Sequence, residues 1–248
     1  MLIISHISKT FSKGKATAAK ALNNISVTIN KQDFLVIVGS NGSGKSTLLN
    51  SIAGSFLVDE GTVNIDGNDV TKLQDYKRAK WLSRVFQNPL QGTAPDLSII
   101  DNFRLAALRT QKKTIKIGTS TDFIKKVKHS IASLEMGLEN KINQPVGSLS
   151  GGQRQALTLL MSVMDNSKIL LLDEPTAALD PKSAATVMLT ANKMVQQLNL
   201  TAILVTHNLK EAITYGNRII QMQEGKIIKD LNKAEKEKLS ATDVFEWF

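Results

Sequence analysis

The chain has 248 residues, of which 42% are hydrophobic and 21% charged, with a net charge of +9 and no cysteine. These values are ordinary for a globular protein of one large domain or two closely packed lobes, and the missing cysteine excludes disulfides, thiolate catalysis and Cys-ligated zinc. No apolar run approaches the roughly 18 residues that span a membrane, and the first residues lack the order of a signal peptide, so we expect a cytoplasmic chain that does not cross a membrane by itself.

The first third of the chain predicts strands around one glycine-rich loop. Residues 2–7 and 22–29 alternate between apolar and polar side chains, which indicates antiparallel strands with one face in water. Residues 34–38 are continuously apolar, as in a strand buried on both sides of a parallel sheet. This run leads into the glycine loop and then into a predicted helix that ends near Ala53. Residues 62–66 and 82–86 predict two further strands.

The remainder of the chain predicts an α/β domain with a helical insertion. Residues 98–137 have helical periodicity and contain no convincing strand. Residues 168–172 and 201–206 predict buried strands, and the helix predicted between them completes a right-handed βαβ unit. Residues 218–222 and 226–229 predict a hairpin, and a charged, helix-prone tail follows from residue 232.

The positive charge is concentrated in the predicted helical insertion. Residues 101–145 contain nine Lys and Arg against four Asp and Glu. A solvated helical face is one interpretation, and attraction to an anionic membrane surface is another. No basic stripe is interleaved with stacking aromatics, so we do not expect nucleic acid as a partner.

A phosphate-binding loop follows the first buried strand. The residues 39–46, GSNGSGKS, fit the pattern G-x4-G-K-[ST], in the strand–loop–helix context that this pattern requires. Glycines allow backbone N–H groups to surround phosphates, aided by the dipole of the following helix. Lys45 is expected to reach the β- and γ-phosphates, Ser46 to ligate Mg²⁺, and Thr47 to lie near the α-phosphate. The predicted nucleotide-binding residues of this loop are Gly39, Ser40, Asn41, Gly42, Ser43, Gly44, Lys45, Ser46 and Thr47.

Two acidic residues end the strand predicted at residues 168–172. Ligands of open α/β sheets bind at the carboxyl ends of the strands, so Asp173 is expected to hold Mg²⁺ and Glu174 to act as general base toward water. An acidic strand end also occurs as a helix cap, and Asp180-Pro181 supplies cap-like residues here. The phosphate loop in the same chain favours the first interpretation.

The pentapeptide LSGGQ, residues 149–153, begins another predicted helix 20 residues before Asp173. Ser150 and the glycines Gly151 and Gly152 start this helix, which continues through Gln153 to about Met164. A glycine-rich helix start presents free N–H groups to an anion, and two glycines in a first turn suggest close backbone approach. The alternative is a serine-capped helix start without a ligand.

These motifs together resemble those of the ATP-binding cassette (ABC) ATPases, and the resemblance extends over essentially the whole chain. In the family pattern Gln87 corresponds to the glutamine of the loop that senses the γ-phosphate and Mg²⁺. Ala178-Leu179-Asp180 corresponds to the D-loop, and His207 to the switch histidine that contacts the γ-phosphate. Phe11 stands where the family stacks an aromatic ring on adenine, and a core residue at the end of the first strand is its alternative interpretation.

The resemblance implies an α/β P-loop NTPase fold: a core with a mainly parallel sheet, an N-terminal antiparallel β subdomain and an inserted α-helical subdomain. Residues 1–88 and 150–230 would form the nucleotide-binding core with its β subdomain, residues 89–149 the helical subdomain, and residues 231–248 a helical tail. The expected catalytic residues are Lys45, Gln87, Glu174 and His207. Besides the phosphate loop, the residues expected to bind the nucleotide are Phe11, Ser150, Gly151, Gly152, Gln153 and Asp180. The residues expected to bind Mg²⁺ are Ser46, Gln87 and Asp173.

The implied function is ATP hydrolysis that energises solute import. Two copies would pair head-to-tail around two ATP molecules, under separate integral-membrane permease subunits and with an extracytoplasmic solute-binding protein. Residues 92–95, 157–162 and 215–218 resemble a bacterial group that works with amino-acid-type permeases. An exporter or lipoprotein-release ATPase, a non-transport ABC ATPase and a non-hydrolysing regulator are the alternatives.

Overall fold

The structure is a computed structural model, and it describes residues 1–109, 118–165 and 167–247. Its strands are β1 Leu2–Phe11, β2 Ala19–Ile29, β3 Phe34–Val38, β4 Glu60–Ile65, β5 Asn68–Asp69, β6 Leu82–Val85, β7 Ile169–Asp173, β8 Thr201–Val205, β9 Arg218–Gln223 and β10 Lys226–Leu231. Its helices are α1 Lys45–Ala53, α2 Asp75–Arg78, α3 Ile99–Ala107, α4 Thr121–Ala132, α5 Gly151–Ser162, α6 Pro181–Gln197, α7 Leu209–Thr214, α8 Lys233–Lys236 and α9 Ala241–Phe245.

A six-stranded, mainly parallel sheet forms the centre of the fold. Its strand order is β10-β9-β3-β8-β7-β6, and only the edge strand β10 runs antiparallel to its neighbour. Every residue of β3, β7 and β8 is buried, which confirms the strands predicted from continuous apolar runs. The phosphate loop follows β3, Asp173 ends β7 with Glu174 directly after it, and His207 lies two residues after β8. Parallel pairing of these three adjacent strands brings these residues to the same edge of the sheet.

Each face of this sheet packs into a separate hydrophobic cluster. Phe34, Val36 and Val38 belong to one cluster, which includes the residues of α3, α4, α5 and α6. Leu35 and Ile37 point to the other, which joins α1 to the antiparallel strands. This division follows from the two-residue period of a strand.

A smaller antiparallel sheet, ordered β2-β1-β4-β5, contains the N-terminus, which confirms the predicted antiparallel β part. The strand β1 extends four residues beyond the alternating pattern, to Phe11. The pairing of β1 with β2 is interrupted by register shifts around Ile7, and His6 has a φ of 53°. A bulge of this kind inverts the side-chain alternation, so the pattern stops although the strand continues.

The predicted helical insertion contains α3 and α4, which pack against each other and against α5. The buried apolar residues of α3 and α4 join the same cluster as one face of the large sheet, so this part of the chain shares a core with the sheet. Lys112, Lys113 and Lys116, which contribute to the predicted basic excess, lie outside the described residues.

Besides the 3-10 turns Leu138–Asn140 and Val146–Ser148, three short elements were not predicted from the sequence: β5, α2 and α7. Each is two to six residues long, too short to show a periodicity. The hairpin is confirmed as β9 and β10, and the helix-prone tail forms α8 and α9, whose Val244 is fully buried. Within the described residues, no helix has both the length and the apolar character needed to span a membrane.

Candidate active site

The phosphate loop has the backbone geometry of an anion cradle. Gly39, Gly42 and Gly44 have φ values of 145°, 81° and 100°, which side-chain-bearing residues rarely adopt. A Cβ on Gly39 would overlap the carbonyl oxygen of Met222, whereas a Cβ on Gly42 would meet nothing within 4 Å. The loop leads into α1, and no side chain of the described residues caps the start of that helix. Its first N–H groups therefore remain available to an anion.

Lys45 lies inside this loop. It is 5% exposed, and its Nζ donates to the carbonyls of Gly39 at 2.7 Å and Ser40 at 3.0 Å. Burial lowers the pKa of Lys45, and the charge of Glu174 opposes that shift. The neighbouring loop residues Ser40, Asn41, Gly42 and Ser46 are exposed, Thr47 is half-buried, and Ser43 is buried with no partner for its Oγ among the described residues.

The carboxylate of Asp173 is held by an arginine that the sequence analysis did not identify. Arg84 Nη2 lies 2.5 Å from Asp173 Oδ2, while Nη1 donates to Asn50 Oδ1 at 2.6 Å. The guanidinium also lies over the ring of Phe86, 4.6 Å from its centroid. Arg84 stands on β6, directly beside β7, so only the strand order places it next to Asp173. The pair fixes the orientation of this carboxylate at the sheet edge.

Glu174 and His207 are in direct contact. Glu174 Oε2 lies 2.9 Å from His207 Nδ1, and the side chains are 16% and 55% exposed. Glu174 has a φ of 45°, and its N–H donates to Val205 O at 2.9 Å, which ties this residue to β8. Non-glycine residues in this region cost of order 1–2 kcal/mol and are concentrated at functional sites. A carboxylate beside an imidazole at this position can accept a proton from water.

A buried carboxylate, also missed in the sequence, supports both of these residues from behind. Glu211 on α7 is 6% exposed; its Oε1 accepts from Thr176 Oγ1 at 2.6 Å and its Oε2 from Thr206 Oγ1 at 2.5 Å. Thr176 follows Glu174 by two residues, and Thr206 directly precedes His207. Glu211 therefore connects the two segments that carry the site.

The LSGGQ helix start is a regular, capped helix terminus. Ser150 Oγ accepts from Gln153 N–H at 3.3 Å, and Gln153 Oε1 accepts from Ser150 N–H at 3.1 Å, a complete capping box. A Cβ on Gly152 would lie 2.5 Å from the Cβ of Ser183 on α6. The close backbone approach expected of this glycine is therefore made to the chain's own α6.

Asp180 caps α6, as the alternative interpretation of its sequence allowed. Its Oδ1 accepts from the N–H groups of Lys182 at 3.1 Å and Ser183 at 3.0 Å. The pKa of Asp180 is lowered chiefly by a hydrogen bond from the side chain of Ser183, and further by these backbone N–H groups. The cap places the start of α6 against the LSGGQ glycines.

The remaining predicted residues are not bonded to the Glu174–His207 pair in the described structure. Gln87 is exposed in the loop after β6. Phe11, at the end of β1, is 40% exposed and packs edge-on against Phe56, with ring centroids 5.2 Å apart. Neither side chain, nor any of Ser150–Gln153, makes a hydrogen bond or ion pair with the described Lys45, Glu174 or His207. Because Phe11 is exposed, the core-residue interpretation is wrong for it.

The donor set fits a hard cation bound together with phosphates. Ser46, Gln87 and Asp173 offer a hydroxyl, an amide and a carboxylate oxygen, which are Mg²⁺ ligands. The described residues contain no cluster of three or more His, Cys, Asp or Glu that would hold a metal alone. Mg²⁺ is commonly bound by one or two carboxylates plus substrate phosphates, which matches this sparse set.

Comparison with known proteins identifies the family. Residues 22–177 match the family model described as ABC transporter. The chain is 39% identical to a tyrosine transport ATP-binding protein of Clostridioides difficile, over 100% of this chain and 98% of that protein. It is 37% identical to a spermidine/putrescine import ATP-binding protein of Bacteroides thetaiotaomicron, over 90% of this chain and 45% of that longer protein.

Among solved structures, one similar molecule is a dimeric ATP-binding cassette in a post-hydrolysis state with ADP and Pi bound. It has a TM-score of 0.81 and 28% identity, and the match covers 94% of this chain and 99% of that one. The predicted P-loop NTPase fold is thereby confirmed. Because the family model and the full-length relative agree with the motifs and their placement in the fold, this chain belongs to the ABC transporter family and is an ATP-binding cassette ATPase.

Proposed function

We propose that this chain is the ATP-hydrolysing subunit of an importer that takes up an amino acid. The observation that supports this most directly is the similarity, over the full length of both chains, to a tyrosine transport ATP-binding protein. The relative named for polyamine import points in the same direction of transport. Tyrosine or a related amino acid is therefore the solute we infer.

ATP is proposed to bind at the phosphate loop. The positive-φ glycines and the uncapped start of α1 supply N–H groups for the phosphates, from Gly39 to Thr47. Lys45 Nζ, now on the carbonyls of Gly39 and Ser40, contributes positive charge beside the β- and γ-phosphates. Phe11 offers an exposed ring on which adenine can stack.

Hydrolysis is proposed to depend on the Glu174–His207 pair. Glu174 accepts the proton of the attacking water, and His207 holds that carboxylate in orientation and contacts the γ-phosphate. Ser46, Gln87 and Asp173 would hold Mg²⁺, which neutralises charge on the phosphates when it is bound. The positive φ of Glu174 and the Glu211 network support a fixed position for the pair.

A second copy is proposed to complete the site. Ser150, Gly151, Gly152 and Gln153 would cover the γ-phosphate bound by the partner copy, with Asp180 at the same interface. Ser150 is exposed, and the first turn of α5 directs N–H groups outward. The similar cassette of known structure is dimeric, which supports this pairing.

Permease subunits are proposed to dock in the groove between the large sheet and the helical insertion. This groove has a volume of about 720 Å³ and is lined by Tyr76, Phe86, Leu105 and Met161, among others. Tyr76 and Leu105 are 66% and 52% exposed, which leaves apolar surface for a partner. Phe86 directly precedes Gln87, so a docked segment lies next to that loop. A chain docked in this way would lie on the inner face of the cell membrane, and an extracytoplasmic solute-binding protein is the further partner we infer.

Affinity purification from native membranes in mild detergent tests the proposal. A co-purified polytopic permease together with an extracytoplasmic protein that binds tyrosine is the expected result. A permease without a binding protein would favour an exporter, and ribosomal or DNA-repair partners without a permease would favour a non-transport ABC ATPase. A chain that binds ATP without hydrolysing it would favour a regulator.

A further inference from the structure

Gln155 is a buried glutamine to which the motif analysis assigns no role. It lies on α5, two residues after the LSGGQ motif, and is 0% exposed. Its side chain lies between α5 and two loops of the candidate active site. One of these loops contains Gln87 and the other contains Glu174.

The amide nitrogen of Gln155 binds both loops at once. Nε2 donates to Phe86 O at 2.8 Å and to Pro175 O at 2.9 Å. Phe86 is the residue before Gln87, and Pro175 is the residue after Glu174. A carboxamide nitrogen has two protons, and both are used here on carbonyls from segments far apart in sequence.

The carbonyl end of the same amide is left without a partner. Gln155 Oε1 is buried, and none of the described residues donates to it. A buried acceptor without a partner is unfavourable, so the hydrogen-bonding capacity of this amide is not fully used at its position. What the amide does provide is a fixed distance from α5 to each of the two loops.

We propose that Gln155 is a positioning residue that holds the Gln87 loop and the Glu174 turn in register with the LSGGQ helix. When α5 shifts as its N-terminal end meets a partner's nucleotide, both loops move with it. The inference rests on the proposed function, because it takes Gln87 and Glu174 as members of the hydrolytic site. Gln155 would thereby connect, within one chain, the LSGGQ residues that cover the partner's ATP and the residues Gln87 and Glu174 that act on the chain's own ATP.

The variant Gln155→Met tests this, because it keeps the length of the side chain and removes both donors. In the full chain at saturating ATP, kcat is expected to fall about 10- to 100-fold, as for a small displacement of catalytic groups. The Kd for ATP should change less than about twofold, since the phosphate loop is untouched. Gln221→Met is the matched control: Gln221 is 8% exposed, its Oε1 is also buried without a partner in the described structure, and it should leave kcat unchanged.

A double-mutant cycle separates positioning from a merely structural role. If Gln155 acts through Gln87, Gln155→Met lowers kcat by a smaller factor in a Gln87→Ala background than in the unmodified chain. If Gln155→Met does not fold, Gln155→Asn, which retracts the amide by one methylene, replaces it in the same cycle. Unchanged kcat, or a fall that is fully additive with Gln87→Ala, would overturn the inference while the proposed function stands. An unmodified chain that does not hydrolyse ATP would overturn both.

Discussion

The chain contains two glycine-rich helix starts, and they are built in opposite ways. The phosphate loop ahead of α1 has three glycines at positive φ and no side-chain cap from the described residues. The LSGGQ start of α5 has a complete capping box, and Gly151 and Gly152 do not have positive φ. Among the described residues, no side chain accepts from the first N–H groups of α1, whereas the capping box of α5 satisfies two N–H groups, those of Ser150 and Gln153, and Gly152 packs against α6.

The comparison teaches that glycine serves a different purpose in each motif. At position 42 the backbone conformation requires glycine. An added Cβ would meet no other atom there, but a residue with a side chain would be strained at this positive φ. At Gly152 the space requires it, because the helical φ is ordinary but Ser183 occupies the place of a Cβ. The first motif is therefore suited to bind phosphates within one chain, and the second is a packed surface whose proposed ligand belongs to another copy.

The largest effect should come from Glu174→Gln, which tests whether the two helix starts meet across a dimer. Removal of the general base is expected to lower ATP turnover by at least about 100-fold. ATP should then hold two copies together, because both nucleotides stay intact between a phosphate loop and a partner's LSGGQ motif. Light scattering coupled to gel filtration measures the mass with and without ATP. Ordinary turnover together with a monomer in ATP would break the comparison.

No described side chain caps the start of α1, so a substitution of Arg78 tests how much the contacts at the other end of this helix stabilise it. The guanidinium of Arg78 is 1% exposed and donates to the carbonyls of Ser51 and Ile52 in the last turns of α1. Burial lowers the pKa of Arg78 to about 10. Arg78→Met leaves these carbonyls without their donor and should lower the free energy of unfolding by about 2–4 kcal/mol. Urea titration measures the change, and exposed Lys77→Met on the same helix should have no effect.

Two glycine substitutions sharpen the comparison directly. Gly152→Ala should lower the free energy of unfolding by about 1–3 kcal/mol, because the new methyl group overlaps Ser183. Adding Ser183→Gly should recover most of that loss. Gly42→Ala should cost about 1 kcal/mol through its φ alone, and Ser183→Gly should not relieve it. If both variants lost the same free energy of unfolding and Ser183→Gly restored neither, the two glycines would not differ in the way proposed. Gly152 would then not be required by steric space.

The smallest effect concerns a lysine outside both helix starts. Lys236 is 8% exposed, donates to the carbonyls of Tyr215 and Gly216, and has a pKa lowered by burial to about 8. Between pH 8 and 10.5 the unfolded chain binds this proton more fully than the folded chain, so stability rises with pH across that window. Lys236→Met should remove this rise. Thermal unfolding of both proteins at several pH values measures the difference, and identical pH profiles would refute it.

Sequence patterns were sufficient to predict an element where the residues of that segment alone determine its structure. The buried strands β3, β7 and β8 were predicted because continuous apolar runs have few alternatives in an α/β chain. The β1 boundary was wrong by four residues because a bulge inverts the alternation, and α2 and α7 were too short for a period to appear. The exposed position of Phe11 depends on where β1 ends, which the pattern did not contain.

The sequence by itself determined the family, the phosphate loop and the identity of the candidate catalytic side chains, because each motif is a short run of consecutive residues. Only the tertiary structure decided which groups surround them. Arg84 meets Asp173 through strand order, Glu211 joins Thr176 to Thr206, and Gln155 reaches two loops from α5. These contacts connect residues up to 89 positions apart, and such pairs are set by the packing of strands and helices rather than by any local spacing.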